Sequence, residues 1–166
     1  MSKGRIMVVD DDQISLSALI LLLQMAGYKV TPILSGQEAI SAATLEPPDM
    51  FLLDIMMPKM DGFQACAELK SRELLCHIPV IFLTCRDEID YRLQGFRAGA
   101  VDYITKPFLA EEVLARVEAH LARYRERSQL RRQVVEARQL RDLERSVGNA
   151  EKNLLRMELQ LKDITP

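Results

Sequence analysis

Cysteine is scarce in this chain and badly spaced for any framework. Cys66, Cys76 and Cys85 are an odd number with no CxxC spacing, which argues against a disulfide scaffold or a zinc knuckle and for free thiols in a reducing, cytoplasmic setting. Histidine is scarcer still. His77 reads as a strand-entry residue and His120 as a helix-surface residue, neither close to the acidic positions described below. Long apolar runs are missing as well: LSALILLL, residues 16 to 23, is too brief to cross a bilayer, and the opening MSKGRIMVVDDD is too short in apolar length for a signal peptide. No targeting segment is therefore expected. A dominant charge is also lacking. The net charge is −2; residues 1–108 carry 10 basic and 14 acidic groups and residues 109–166 carry 12 and 10, so neither part is a strong polyanion binder.

What is present is ordinary globular material. With 48% hydrophobic and 28% charged residues over 166 positions, the chain can fill one sizeable core with an appendage, divided here into residues 1–123 and residues 124–166. RIMVVD, YKVTPIL, DMFLLD, IPVIFLT and AVDYITK read as strands, and the stretches beginning near Gln13, Gly36, Asp61, Glu88 and Leu109 read as helices. Five strand–helix units in succession predict an α/β fold, a parallel sheet covered on both faces. Right-handed crossovers then bring every strand's C-terminal end to one edge, where open sheets bind ligands.

Polar residues collect on that edge. Asp10, Asp11 and Asp12 close the first strand, Asp54 the third and Thr84 the fourth, while Lys106 follows the fifth. Taken singly, each has an ordinary reading. Asp12 before Gln13-Ile14 is a good helix cap, aspartates start turns, and Thr84 is a β-branched strand residue. Jointly they put several carboxylates, a hydroxyl and an ammonium around one crevice.

VVDD (8–11), LLDIMMPKMDG (52–62), IFLT (81–84) and GAVDYITKPF (99–108) resemble the receiver domain of two-component response regulators, in order and spacing, over residues 4 to 123. The resemblance implies a doubly wound, five-stranded, flavodoxin-like sheet of order 2-1-3-4-5. It also implies Mg²⁺ held by the side chains of Asp11 and Asp54, by the backbone carbonyl of Met56 and, through water, by Asp10, since oxygen ligands suit a hard cation. Asp54 is then the phosphoacceptor, supplied by a sensor histidine kinase or a histidine phosphotransfer protein. Lys106 and Thr84 contact the phosphate, and Tyr103 is the switch aromatic; an exposed strand tyrosine is its ordinary alternative. Such a switch is not an enzyme in the usual sense, promoting only its own phosphorylation and dephosphorylation. Pro58 stiffens the loop after the acceptor, Asp61-Gly62 marks the next turn, and Pro107 matches a cis-proline. Met56 and Arg86 occupy two positions that modulate phosphate lifetime in the family.

Two features depart from the pattern. Pro32 inside the second strand predicts an edge position, and Leu109 stands where a capping residue is usual. A competing resemblance is to haloacid-dehalogenase-type phosphatases, with Asp10 and Asp12 as the Asp-x-Asp pair. That motif usually continues with Thr or Val where this chain has Ile14, and it leaves MMPKMDG unexplained.

Beyond residue 123 no strand is predicted. Leu140, Leu143, Val147, Ala150, Leu154, Met157, Leu161 and Ile164 step by threes and fours, the spacing of a coiled-coil seam. Leu130, Val134 and Ala137 keep the alternation upstream, but the step of three repeated from Ala137 to Leu140 slips the register. Gly148-Asn149 predicts a weak point, since glycine costs about 1 kcal/mol in a helix. Five arginines against one glutamate between 123 and 132 read as a solvated coiled-coil flank, and no DNA-reading motif follows. The expectation is a long helical stalk, a homodimer, no membrane contact, no nucleic-acid partner, and a chain that in longer relatives leads into an output domain.

Overall fold

The computed structural model describes residues 2–85 and 89–162. Strands β1 (Arg5–Val9), β2 (Lys29–Ile33), β3 (Met50–Asp54), β4 (Val80–Thr84) and β5 (Asp102–Thr105) alternate with helices α1 (Gln13–Met25), α2 (Gly36–Leu45), α3 (Gly62–Ser71), α4 (Ile89–Arg97) and α5 (Ala110–Lys162). The sheet is parallel throughout, in the order β2-β1-β3-β4-β5. This is the doubly wound, flavodoxin-like arrangement expected from the sequence.

Side-chain alternation explains why helices cover both faces. Ile6, Val8, Met50, Leu52, Ile81, Leu83 and Ile104 turn to the side where Leu19 and Leu23 of α1 and Val113, Val117 and Leu121 of α5 complete a core. Met7, Val9, Phe51, Leu53, Val80 and Phe82 turn to the other side, against Ala39, Ile40 and Ala43 of α2 and Ala65, Cys66 and Leu69 of α3. Burial pushes the Cys66 thiol up to about 11, with Lys70 opposing, so it acts as a small apolar side chain; no disulfide forms among the cysteines. Pro32 lies in β2, an edge strand that tolerates its missing N–H.

Local chemistry sets the helix starts. Asp12 accepts from the backbone N–H of Ile14 and Ser15 at the head of α1, Ser35 caps α2, and Asp61 and Gln64 form a reciprocal capping box on α3. At α5 the side chain of Leu109 has nothing to offer, and its carbonyl accepts from Val113 N–H.

The chain divides into two compact units, Met1–Tyr124 and Arg125–Pro166. In the second, α5 passes through Gly148 without interruption, against the expected weak point there; a single glycine's cost is small beside the hydrogen bonds of the flanking turns. Arg86, the start of the fourth helix near Glu88, and Ile164 lie outside the described residues. Among the described residues no helix is long and apolar enough to cross a membrane.

One glycine carries the loop after β3. Gly62 N–H donates to the carbonyl of Ile55 at 2.8 Å, and a Cβ at position 62 would lie 2.7 Å from Ile55 Cα and closer still to the Asp54 carbonyl oxygen. Both neighbours are backbone and cannot swing away. Gly62→Ala is expected to cost about 1–3 kcal/mol of unfolding free energy, read from urea denaturation; an unchanged midpoint would contradict this packing.

Candidate functional site

Register brings the acidic residues together. Val9 pairs with Leu53 across β1 and β3, so the next residue on each chain, Asp10 and Asp54, emerges side by side at the point where the strand order reverses. Asp54 pairs with Leu83, and Thr84 with Thr105. The backbone N–H of Lys106 then donates to the Thr84 carbonyl at 2.7 Å, which holds the start of the β5–α5 loop beside the end of β4. The Lys106–Pro107 peptide bond is cis.

The two inner carboxylates share one design. One oxygen of Asp10 accepts from Asp12 N–H at 2.9 Å, and one oxygen of Asp54 accepts from Met56 N–H at 3.2 Å, each an i to i+2 turn closed by the aspartate itself. Their other oxygens converge on Lys106, whose Nζ lies 2.6 Å from Asp10 and 3.1 Å from Asp54. The side chain of Asp10 is fully buried, that of Asp54 is 7% exposed and that of Lys106 only 11%. Burial pushes the Asp54 carboxyl above its ordinary range; the Lys106 charge opposes this and the Asp10 charge adds to it. Burial works to lower Lys106, but the bond to Asp10 and the charges of Asp54 and Asp10 outweigh it and hold the ammonium above its usual value.

Asp11 stands at the exposed rim, and oxygens of Asp10, Asp11 and Asp54 lie within 4.8 Å of one another. Three carboxylates against one ammonium leave a formal excess of two negative charges, the complement of a divalent cation with oxygen ligands. Met56, whose N–H bonds Asp54, leaves its side chain half-exposed. Asp11, Met56, Pro58 and Asp61, with Ile55, Met57, Phe63 and Gln94, line a cavity of about 500 Å³ beside it. Thr84 is buried at the end of β4, and Tyr103 is partly buried against the core that contains Phe82. Asp12 is different. Both its oxygens accept from α1 backbone N–H groups, at 3.3 Å from Ile14 and 3.2 Å from Ser15, and these bonds lower its pKa, the Ser15 bond most.

A doubly wound sheet with three acids, a threonine and a lysine around its switch point defines a signalling receiver in class. The sequence profile of the response regulator receiver domain matches residues 6–118, and the chain belongs to that family. It is 44% identical over 119 residues to the DNA-binding dual master transcriptional regulator RpaA of Synechocystis, covering 72% of this chain and 49% of that protein. It is 41% identical, over the same shares, to the alkaline phosphatase synthesis transcriptional regulatory protein PhoP of Bacillus subtilis. A putative response regulator from Chloroflexus aurantiacus superposes with a TM-score of 0.70 at 35% identity, covering 72% of this chain and 98% of that one. The chain thus spans about half the length of the curated relatives it matches. Neither these relatives nor the capping role of Asp12 supports the phosphatase alternative. RpaA is DNA-binding over a chain about twice the matched length, so the expected absence of a nucleic-acid partner does not extend beyond these 166 residues.

His120 corrects the sequence reading. It is no surface residue: its side chain is 13% exposed and Nε2 lies 2.8 Å from an Asp102 oxygen. Arg116, one turn earlier on α5, reaches both oxygens of the same carboxylate at 2.8 and 2.9 Å, and Tyr103 N–H donates to it at 2.9 Å. One aspartate thus ties the backbone beside Tyr103 to two successive turns of α5. The i, i+4 spacing of Arg116 and His120 was visible in the sequence, but not which face of α5 meets β5. Burial works to raise Asp102, yet the bonds from His120, Tyr103 and Arg116 outweigh it and depress its pKa. A depressed carboxyl contributes stability that is present above its unfolded value and lost as pH falls through the folded one. Asp102→Asn is expected to lose about 1–3 kcal/mol at neutral pH, with the gap to the parent closing in acid as Asp102 itself protonates. Melting curves from pH 7 downward check this; a pH-independent gap would refute it.

Proposed function

We propose that residues 1–123 form a phospho-accepting switch in which Asp54 takes a phosphoryl group from the phosphohistidine of a sensor histidine kinase or a histidine phosphotransfer protein. One observation carries this reading: Asp54 ends a buried strand with one oxygen held by Met56 N–H and the other by Lys106, beside two further carboxylates. An oxygen of Asp54 attacks phosphorus while the P–N bond breaks. Its electron pair returns to the imidazole nitrogen, and a carboxyl–phosphoryl anhydride remains on Asp54. Lys106 neutralises charge on the transferred oxygens. The Thr84 hydroxyl donates to one of them, and Tyr103, on the neighbouring strand, responds to that movement. The cluster turns over no separate substrate; it promotes only its own phosphorylation and dephosphorylation.

The donor set fits Mg²⁺, with Asp11 and Asp54 binding through their side chains, Met56 through its carbonyl and Asp10 through water. When bound, Mg²⁺ supplies the positive charge that the cluster lacks. Residues 124–166 serve as a helical stalk that pairs the chain into a homodimer, and the free cysteines suit the cytoplasm. RpaA and PhoP are transcriptional regulators about twice the matched length, which supports an output domain following the stalk in a longer protein.

Acetyl phosphate with Mg²⁺ should add one acid-labile phosphoryl group by mass spectrometry, and Asp54→Asn should take none; undiminished labelling of that variant would overturn the assignment. The metal has a separate readout. At about ten times its Kd, Mg²⁺ should stabilise the parent by about 1.4 kcal/mol, seen as a shift of the urea midpoint. Asp11→Ala should lose most of that shift and Asp12→Ala keep it, whereas equal losses would contradict the division between ligand and cap.

A further inference from the structure

We propose that α5 pairs with α5 of a second copy of this chain in parallel and in register, over residues 140–161 only. The inference rests on the reading of residues 124–166 as a dimerising stalk and adds where the pairing begins and which way it runs. Leu140, Leu143, Val147, Leu154 and Met157 are 57–63% exposed on an unbroken helix, and with Ala150 and Leu161 they form a three–four stripe of three heptads. Leu155 and Leu159 fall on the opposite flank and take no part in it.

The stripe's upstream limit follows from helix geometry. Val134, Ala137, Leu140 and Leu143 are separated by three successive steps of three. Nine residues at about 100° each leave Leu143 turned about 180° from Val134. The short apolar stretch of Leu130, Val134 and Ala137 is therefore turned off the long stripe, whose in-phase positions upstream are the polar Gln133 and Glu136. One partner helix cannot cover both, so the seam begins near Leu140.

Direction follows from the flanks. Glu144, Glu151 and Glu158 each follow an inner seam residue, Leu143, Ala150 or Met157, and so form one edge of the stripe. Gln139, Ser146, Asn153 and Gln160 each precede the other seam residues and form the opposite edge. In a parallel pair these edges meet across the interface, five residues apart in sequence: Gln139 faces the second copy's Glu144, Ser146 its Glu151 and Asn153 its Glu158. Every glutamate thus meets an uncharged hydrogen-bonding side chain. An antiparallel pair sets like edges together, glutamate against glutamate on one side and uncharged side chains on the other, so one side of the seam is repulsive along its length.

Cysteine cross-linking of the full chain, with Cys76 and Cys85 replaced by serine, tests this without any phosphodonor. Val147→Cys and Leu154→Cys should each give covalent dimers with themselves under mild oxidation. Two mixtures, told apart by mass, should give no mixed dimers: Leu143→Cys with Leu154→Cys, and Val147→Cys with Met157→Cys. Those partners sit about 15 Å or more apart along a parallel pair but face each other in the two antiparallel registers. Mixed dimers in place of self-dimers would overturn the direction, and a monomer at tens of micromolar in sedimentation would overturn the pairing. Labelling of Asp54 by acetyl phosphate, measured on the same samples, reports separately on the receiver.

Discussion

Lys106 is the counter-ion on which the rest of the site depends. Two carboxylates shielded from water repel each other and are costly to bury alone, yet Asp10 and Asp54 lie side by side because β1 and β3 are paired in register. One ammonium between them, 2.6 and 3.1 Å away, makes this tolerable without making it neutral. The residual negative charge is of the size that a divalent cation would balance, and positive charge brought to the cluster would stabilise the Asp54 carboxylate against its burial.

That constraint reaches into the backbone. Lys106 must return to β3 and β1 from beyond β5, and its N–H on the Thr84 carbonyl anchors the turn that allows it. On the other side of Asp54, the loop through Met57, Pro58 and Lys59 comes back so tightly that Gly62 packs on the backbone of Asp54 and Ile55. Asp54 is therefore held between the close backbone approach of Gly62 on one side and the Lys106 ammonium on the other. Lys59, with φ at 66°, takes the left-handed conformation within this loop, a modest local strain that the surrounding contacts overcome.

The sequence was most legible where burial and charge coincide. Strands covered on both faces are continuous apolar runs, so β3 and β4 stood out, and a polar residue ending such a run, such as Asp54 or Thr84, is conspicuous. The common edge then followed from right-handed crossovers alone. Boundaries were less visible: β4 begins at Val80 and β5 at Asp102, later than the apolar runs imply, because apolar residues also fill the turns that enter a strand. The Asp102, Arg116 and His120 cluster escaped notice because its partners are 14 and 18 residues apart and meet only once α5 lies across β5. Gly62 was recognised as a turn residue, but its close approach to β3 is a tertiary fact.

Different demands act on α5 along its length. In its first turns Val113, Val117 and Leu121 complete the sheet's core while Arg116 and His120 hold the carboxylate of Asp102, so this part is fixed by apolar and ionic contacts at once. Among the described residues of its later turns, Leu140, Leu143, Val147, Leu154 and Met157 stay exposed. The Asp102 carboxylate also bonds the N–H of Tyr103. Any displacement of Tyr103 that strains that bond is therefore felt at Arg116 and His120, so the end of β5 and the first turns of α5 behave as one ionic unit.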